Sequence, residues 1–253
     1  MRRCAKRVEA ILCAIASLAV GAVAQKPSDF TPLDLLQKMY GLKGRVAYVA
    51  VQTFGSPDFR GPSMTIKIEC DGKGTTRQTV IQPLSKQGVV SIDDGKYWTT
   101  YLPDSKMKLV QPSPGLSGSH AEDRLQLVKA NYRLTVGVPA KIGGRRALTI
   151  QARPKSPDMP IRNFYLDTRT YMLLRMETLD EGKEPRVLVD TKTVAFLPSG
   201  SPDVDVSAPS GTWERKRFSS PSRVRDVQQA KEKVGFTPVW PGSLPDGFIV
   251  MEV

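Results

Sequence analysis

The sequence has one histidine, three cysteines and a 7% aromatic share in 253 residues. A lone imidazole excludes metal sites built on several histidines. Cys4 and Cys13 lie in the first 24 residues. Without that stretch only Cys70 remains, and no internal disulfide can form in any compartment. Cys70 sits in an alternating apolar stretch, the setting of a buried, inert thiol. Glycine and proline number 20 each, well below the roughly 25–30% share of low-complexity chains, so disorder and collagen are excluded. No phosphate loop, H-E-x-x-H helix or paired C-x-x-C occurs. What remains is an ordinary globular composition, 40% hydrophobic and 25% charged, enough for one sizeable core.

The first feature present is an address. Arg2, Arg3, Lys6 and Arg7 form a basic start, residues 10–23 are uncharged and mostly apolar, and Ala22 and Ala24 bracket Val23. This pattern predicts a signal peptide over residues 1–24, cleavage before Gln25 and export to the periplasm. The apolar run falls short of the roughly 20 residues a membrane span needs. Cys13 follows Ile11 and Leu12 rather than a small residue, which disfavours a lipid anchor. Losing Glu9 and the four basic residues lowers the net charge from +12 to +9. The mature chain is expected to have no transmembrane span.

Residues 32–43 read as a helix. Thr31 caps it, Pro32 suits the first turn, Leu33, Leu36 and Tyr40 share a face, and Gly41 and Gly44 end it. Beyond Gly44 the period changes to two. In residues 63–70, 105–110 and 132–138, apolar and polar side chains alternate. Asp71-Gly72, Asp94-Gly95, Gly143-Gly144, residues 167–170 and Glu181-Gly182 read as turns between strands. A capping box, Ser119 with Glu122, opens a second helix that carries Ala121, Leu125 and Val128 on one face. Short turns imply antiparallel pairing. The expected fold is mainly β (α+β): an antiparallel half-barrel of about ten strands over residues 25–197, covered on its concave face by helices. Residues 198–222, rich in proline and serine, read as a linker. Residues 223–253 form a short C-terminal segment, too small for a core of its own.

Catalytic arrangements are missing. Gly115 to Ser119 is out of frame for a nucleophile elbow and lacks its strand-to-helix turn. His120 falls at the start of a surface helix. Asp71, Asp93 and Asp94 each belong to a glycine turn. The chain is therefore expected not to be an enzyme, with an exported hydrolase using Ser117 and His120 as the remote alternative. Its pI of about 9.7 invites a nucleic-acid reading, but export and the dispersal of Lys and Arg along strands oppose it. The basic stretch 215–233 suits an acidic partner or an anionic membrane surface, or is a solvated linker.

Three segments then carry a likeness. They are Tyr132-Arg133-Leu134-Thr135-Val136-Gly137, residues 143–150, and Phe164-Tyr165-Leu166-Asp167-x-x-Thr170 followed by Leu174-Arg175-Met176-Glu177. Together they resemble the second half of the RseB/MucB N-terminal domain and, through it, the lipoprotein carriers LolA and LolB. Residues 235–240 with 244–248 resemble the opening of the RseB/MucB C-terminal domain, of which this chain would hold only a truncated start. The resemblance implies a non-catalytic half-barrel that needs no cofactor and binds lipid or lipoprotein acyl chains. It also implies a membrane anti-sigma factor as partner, in a regulator that senses envelope state. The alternative within the resemblance is a LolA-like carrier that sorts outer-membrane lipoproteins; a LolB role is disfavoured by the missing lipidation cysteine. Where relatives have Gly and Pro in the T-G-x-P hairpin, this chain has Tyr171 and Leu173.

An acyl site needs an apolar lining, since each buried CH₂ contributes about 0.8 kcal/mol. The residues that share the apolar parity of their strands are Met64, Ile66, Ile68, Met107, Leu109, Leu134, Val136, Phe164, Leu166, Leu174 and Met176. These are the candidate ligand-binding residues, and the methionines suit an adaptable pocket. The competing reading is that they fill a closed core.

Overall fold

Thr31 ends its extended segment by accepting a hydrogen bond from the Asp34 N–H, while its own N–H donates to the Asp34 carboxylate. This capping box, with Pro32 in the first turn, starts helix α1 (Pro32–Gly41). In the computed structural model, which describes residues 30–42, 45–55, 63–113, 119–179, 184–217, 228, 231, 232 and 235, α1 buries Leu35 and Leu36. The expected stripe is thus rotated by one residue, with Leu33 and Tyr40 at its half-buried margins. The signal peptide, the 114–118 loop, the 181–182 turn and most of the 223–253 segment lie outside the described residues, as do the His120 and Ala121 side chains. From Thr31 onward the described residues belong to one compact unit.

The alternating stretches form strands of a single sheet. They are β1 (Ala47–Phe54), β2 (Met64–Asp71), β3 (Thr76–Gln82), β4 (Val90–Asp93), β5 (Tyr97–Leu102) and β6 (Met107–Pro112). Helix α2 (Ser119–Asn131) then runs straight into β7 (Tyr132–Val136). There follow β8 (Ala140–Ile142), β9 (Arg145–Pro154), β10 (Ile161–Asp167), β11 (Leu173–Leu179), β12 (Arg186–Leu197) and β13 (Glu214–Arg217). The order across the open sheet is β13-β6-β5-β4-β3-β2-β1-β12-β11-β10-β9-β7, with β8 beside β9. The mainly β fold expected from the alternation is present, with thirteen strands among the described residues. Neighbours in sequence are neighbours in space, as short turns require. The exceptions are β1 against β12, which joins two meanders, β7 against β9, which steps over β8, and β13 against β6. That last pair is parallel, where turn spacing alone pointed to antiparallel strands.

Both helices pack on each other and against β7, at the opposite end of the sheet from β13. Among the described side chains of α2, Leu125 and Val128 are buried, as expected. No helix among the described residues is long and apolar enough to cross a membrane.

Residues 198–217, expected as linker, are tied to the sheet at several points. The Ser199 hydroxyl and the Gly200 N–H both donate to the Asp71 carbonyl, at 3.3 and 3.4 Å. Arg77 of β3 pairs with Asp205. The Trp213 ring meets Tyr101 edge-on at 5.2 Å and lies beneath the Lys106 ammonium. The Glu214 N–H then donates to the Lys106 carbonyl at 2.9 Å, opening β13. Proline and serine removed the periodic signal without removing the contacts, because these are made by single side chains at irregular intervals.

Candidate functional site

Ladder partners point to the same face, so the registers divide the sheet into a front face, bearing Met64, Ile66 and Ile68, and a back face. One front row crosses seven strands from β2 to β7: Met64, Phe54, Val189, Met176, Phe164, Ile150 and Val136. Every member is apolar. The adjacent back row runs Thr149, Tyr165, Arg175, Asp190, Thr53, Thr65 and Gln82. Every member is polar or carries a polar tip. Along the front row Ile150 and Phe164 are buried, Met176, Phe54 and Met64 are partly accessible, and Val136 at the strand edge is 55% exposed.

Four of the expected residues, Met64, Val136, Phe164 and Met176, therefore share one continuous apolar track. Ile66 and Ile68 lie beside it on β2, buried, and Leu134 beside it on β7, partly accessible. Leu166 and Leu174 are on the same face at 0% exposure, where they support the track from within the packing. Met107 and Leu109 do not join it. From Ile68 to Leu109 the front row passes through Gln78, Ser91 and Thr100. The Ser91 and Thr100 hydroxyls are 3.0 Å apart, and the Trp98 indole N–H donates to the Thr100 hydroxyl.

Phe54, Val189 and Ile150 are track members that the pattern reading missed. In β1 the alternation Tyr48, Ala50, Gln52, Phe54 is masked by a buried glutamine. Its amide donates to the Thr191 hydroxyl at 2.8 Å and to the Leu173 carbonyl at 3.3 Å, so a polar group survives on an apolar face. In β12 two irregularities in register, opposite Val51/Gln52 and Met176/Glu177, break the period of two around Val189.

The back face fixes the track's geometry. Glu177 accepts from the Tyr165 hydroxyl at 2.8 Å and from Arg175 at 2.6 Å. Burial raises the Tyr165 pKa, and the bond to Glu177 adds to that rise. Asp167, 1% exposed, accepts from Arg145 at 2.5 Å, from the N–H groups of Arg169 and Thr170, and from the Thr170 hydroxyl. Burial alone would raise its carboxyl, but these four donors outweigh it and hold the pKa below the ordinary aspartate value. The turn they close places Tyr171 at φ 58°, the left-handed conformation that glycine adopts without strain. So the Gly-to-Tyr departure keeps a glycine-like backbone, with the Lys38 ammonium of α1 5.3 Å from the Tyr171 ring centroid.

At the helix-bearing end a different chemistry sits on the front face. The next front row runs Leu134, Ala152, Arg162, Thr178 and Arg186. The Arg162 guanidinium lies 5.7 Å from the Tyr132 ring centroid. Burial raises the Tyr40 pKa, opposed by the charges of Arg124 and Arg162, which places α1, α2 and β10 side chains in one electrostatic neighbourhood.

Residues 32–195 match the MucB/RseB N-terminal domain family. Among solved structures, the chain is similar to MucB in a complex with MucA(peri), with a TM-score of 0.51 and 15% identity over 71% of this chain and 60% of that one. It is similar also to the Pseudomonas aeruginosa MucA/MucB complex, with a TM-score of 0.50 and 15% identity over 70% of this chain and 61% of that one. The chain thus spans about three fifths of the length of these two structures. At such identity the likeness is one of fold. No curated protein matches the chain.

Proposed function

The chain belongs to the MucB/RseB N-terminal domain family, and from that premise we propose that it is an exported, non-catalytic binding protein that holds acyl chains of a lipid or lipoprotein on the front track. Binding reports envelope state to a membrane anti-sigma factor. The observation that carries the reading is the apolar row of seven strands backed by a polar one. The row offers an apolar path for an extended hydrocarbon, open at Val136, partly accessible at Met64, Phe54 and Met176 and buried at Val189, Phe164 and Ile150, and its methionines adapt to a ligand's shape. The MucA bound in the two MucB complexes supports a partner of the same class here.

Native mass spectrometry of the protein purified from its own compartment tests the acyl reading. A co-purifying lipid mass is the expected result, and repeated recovery of bare protein counts against it. A pull-down from membranes tests the regulatory part. A reproducible anti-sigma partner supports it, and transfer of ligand to an acceptor without such a partner turns the protein into a carrier.

A further inference from the structure

Five buried side-chain polar atoms among the described residues have no hydrogen-bond partner, and three of them fall in one place: the Tyr132 hydroxyl, Arg162 Nε and the Thr178 hydroxyl. Arg162 and Thr178 are direct partners across β10 and β11, and Arg162 lies over the Tyr132 ring. Tyr132 and Thr178 are 6% and 5% exposed. Buried donors are normally paired, and a cluster of three left open on one face is the signature of a missing acceptor. The row itself supplies none: it holds Arg162 and Arg186 on either side of Thr178 and no acidic residue. Phe164 and Met176 of the apolar track are two residues from Arg162 and Thr178 on the same strands, about 7 Å away.

Resting on the acyl-binding reading, we propose that Arg162, Thr178 and Tyr132 form an oxyanion site that holds the phosphate head group of an amphiphile whose acyl chain lies along the track. The guanidinium Nε donates to a phosphate oxygen, and the two hydroxyls donate to the others.

Calorimetry with three probes tests this: dioctanoyl phosphatidic acid, dioctanoylglycerol and inorganic phosphate. The intact chain is expected to bind the phosphatidic acid at least about tenfold more tightly than the diglyceride. Arg162→Gln and Thr178→Val each bring the two lipids to equal affinity while leaving the diglyceride's own affinity unchanged. Equal binding by the intact chain, or an undiminished preference in Arg162→Gln, overturns the site. Thermal melting guards against a merely structural role. Removing an unpaired buried hydroxyl in Tyr132→Phe or Thr178→Val leaves Tm unchanged or higher, and a lower Tm with full head-group preference overturns the proposal. Inorganic phosphate that displaces the phosphatidic acid assigns the site to free phosphate as well, and phosphate that does not bind alone assigns it to lipid. Phosphate binding without diglyceride binding sinks the acyl reading and leaves the oxyanion site standing.

Discussion

The β9–β11 region and the β4–β6 region belong to one sheet but place most of their buried apolar side chains on opposite sides of it. In the first, Ile150, Phe164, Leu166 and Leu174 face the front and are buried, while the back carries the Arg145–Asp167 and Arg175–Glu177 pairs. In the second, the buried apolar residues Val90, Ile92, Tyr101 and Val110 face the back, and the buried Asp93 faces the front. There Trp213, from the proline- and serine-rich stretch, packs against Val90, Ile92 and Tyr101. The front of that region holds the Ser91–Thr100 contact, with Met107 and Leu109 only partly covered. Which face of a strand becomes core is therefore set by what lies over it. Helices near β7 and an irregular strap near β6 answer the same physical demand on opposite sides.

Substitutions separate the two regions by size of effect. Leu174→Ala, at a site with 0% exposure, is expected to lower unfolding free energy by about 2–5 kcal/mol in urea melts. An effect under about 1 kcal/mol would show that the β9–β11 packing is loose enough to collapse around the void. Trp213→Ala, half-buried, should cost less, about 2 kcal/mol. Its signature in hydrogen exchange is faster exchange in β4–β6 with β9–β11 protection retained; uniform loss of protection would deny that the strap serves its own region.

The third effect depends on pH. Asp167 is held below its ordinary value when folded, so the unfolded chain takes up the proton first. The stability it contributes is full above about pH 4, the unperturbed aspartate value, and is lost as pH falls through the folded pKa. Asp167→Asn should flatten the acid limb of stability against pH, and Arg145→Ala should lower neutral-pH stability by about 2 kcal/mol by leaving a buried carboxylate without its cation. An unchanged acid limb in Asp167→Asn would show that this pair does not stabilise β9–β11. The smallest effect is a gain. Tyr171→Gly relieves a left-handed backbone at the loss of the Lys38 contact, for a net of about 0.5–1 kcal/mol. Its thermal melt should shift upward by a few degrees, and a downward shift would mean that the Lys38–Tyr171 contact outweighs the backbone strain.

The series Leu174-Arg175-Met176-Glu177 shows why much of this was legible. With a period of two, Leu174 and Met176 had to face one side and Arg175 and Glu177 the other, and the structure places them so. The Asp167-x-x-Thr170 turn is equally local, since its acceptor and three of its four donors lie within three residues. Val189 was hidden because bulges reset the parity of β12. Phe54 was hidden because a glutamine interrupts its apolar series. Met107 and Leu109 have the right alternation on β6, but β3–β5 interpose polar side chains between them and the track, and no pattern within β6 encodes its neighbours.

Periodicity and turn chemistry act over a few residues, and by themselves they determined the helix start at Thr31, the mainly β class, the strand faces and the family likeness of residues 132–177. Lateral register, the choice of buried face in β4–β6, the anchoring of residues 198–217 and the gathering of Tyr132, Arg162 and Thr178 required the tertiary structure. These depend on contacts between segments tens of residues apart, formed only when the whole sheet finds partners for its apolar surface.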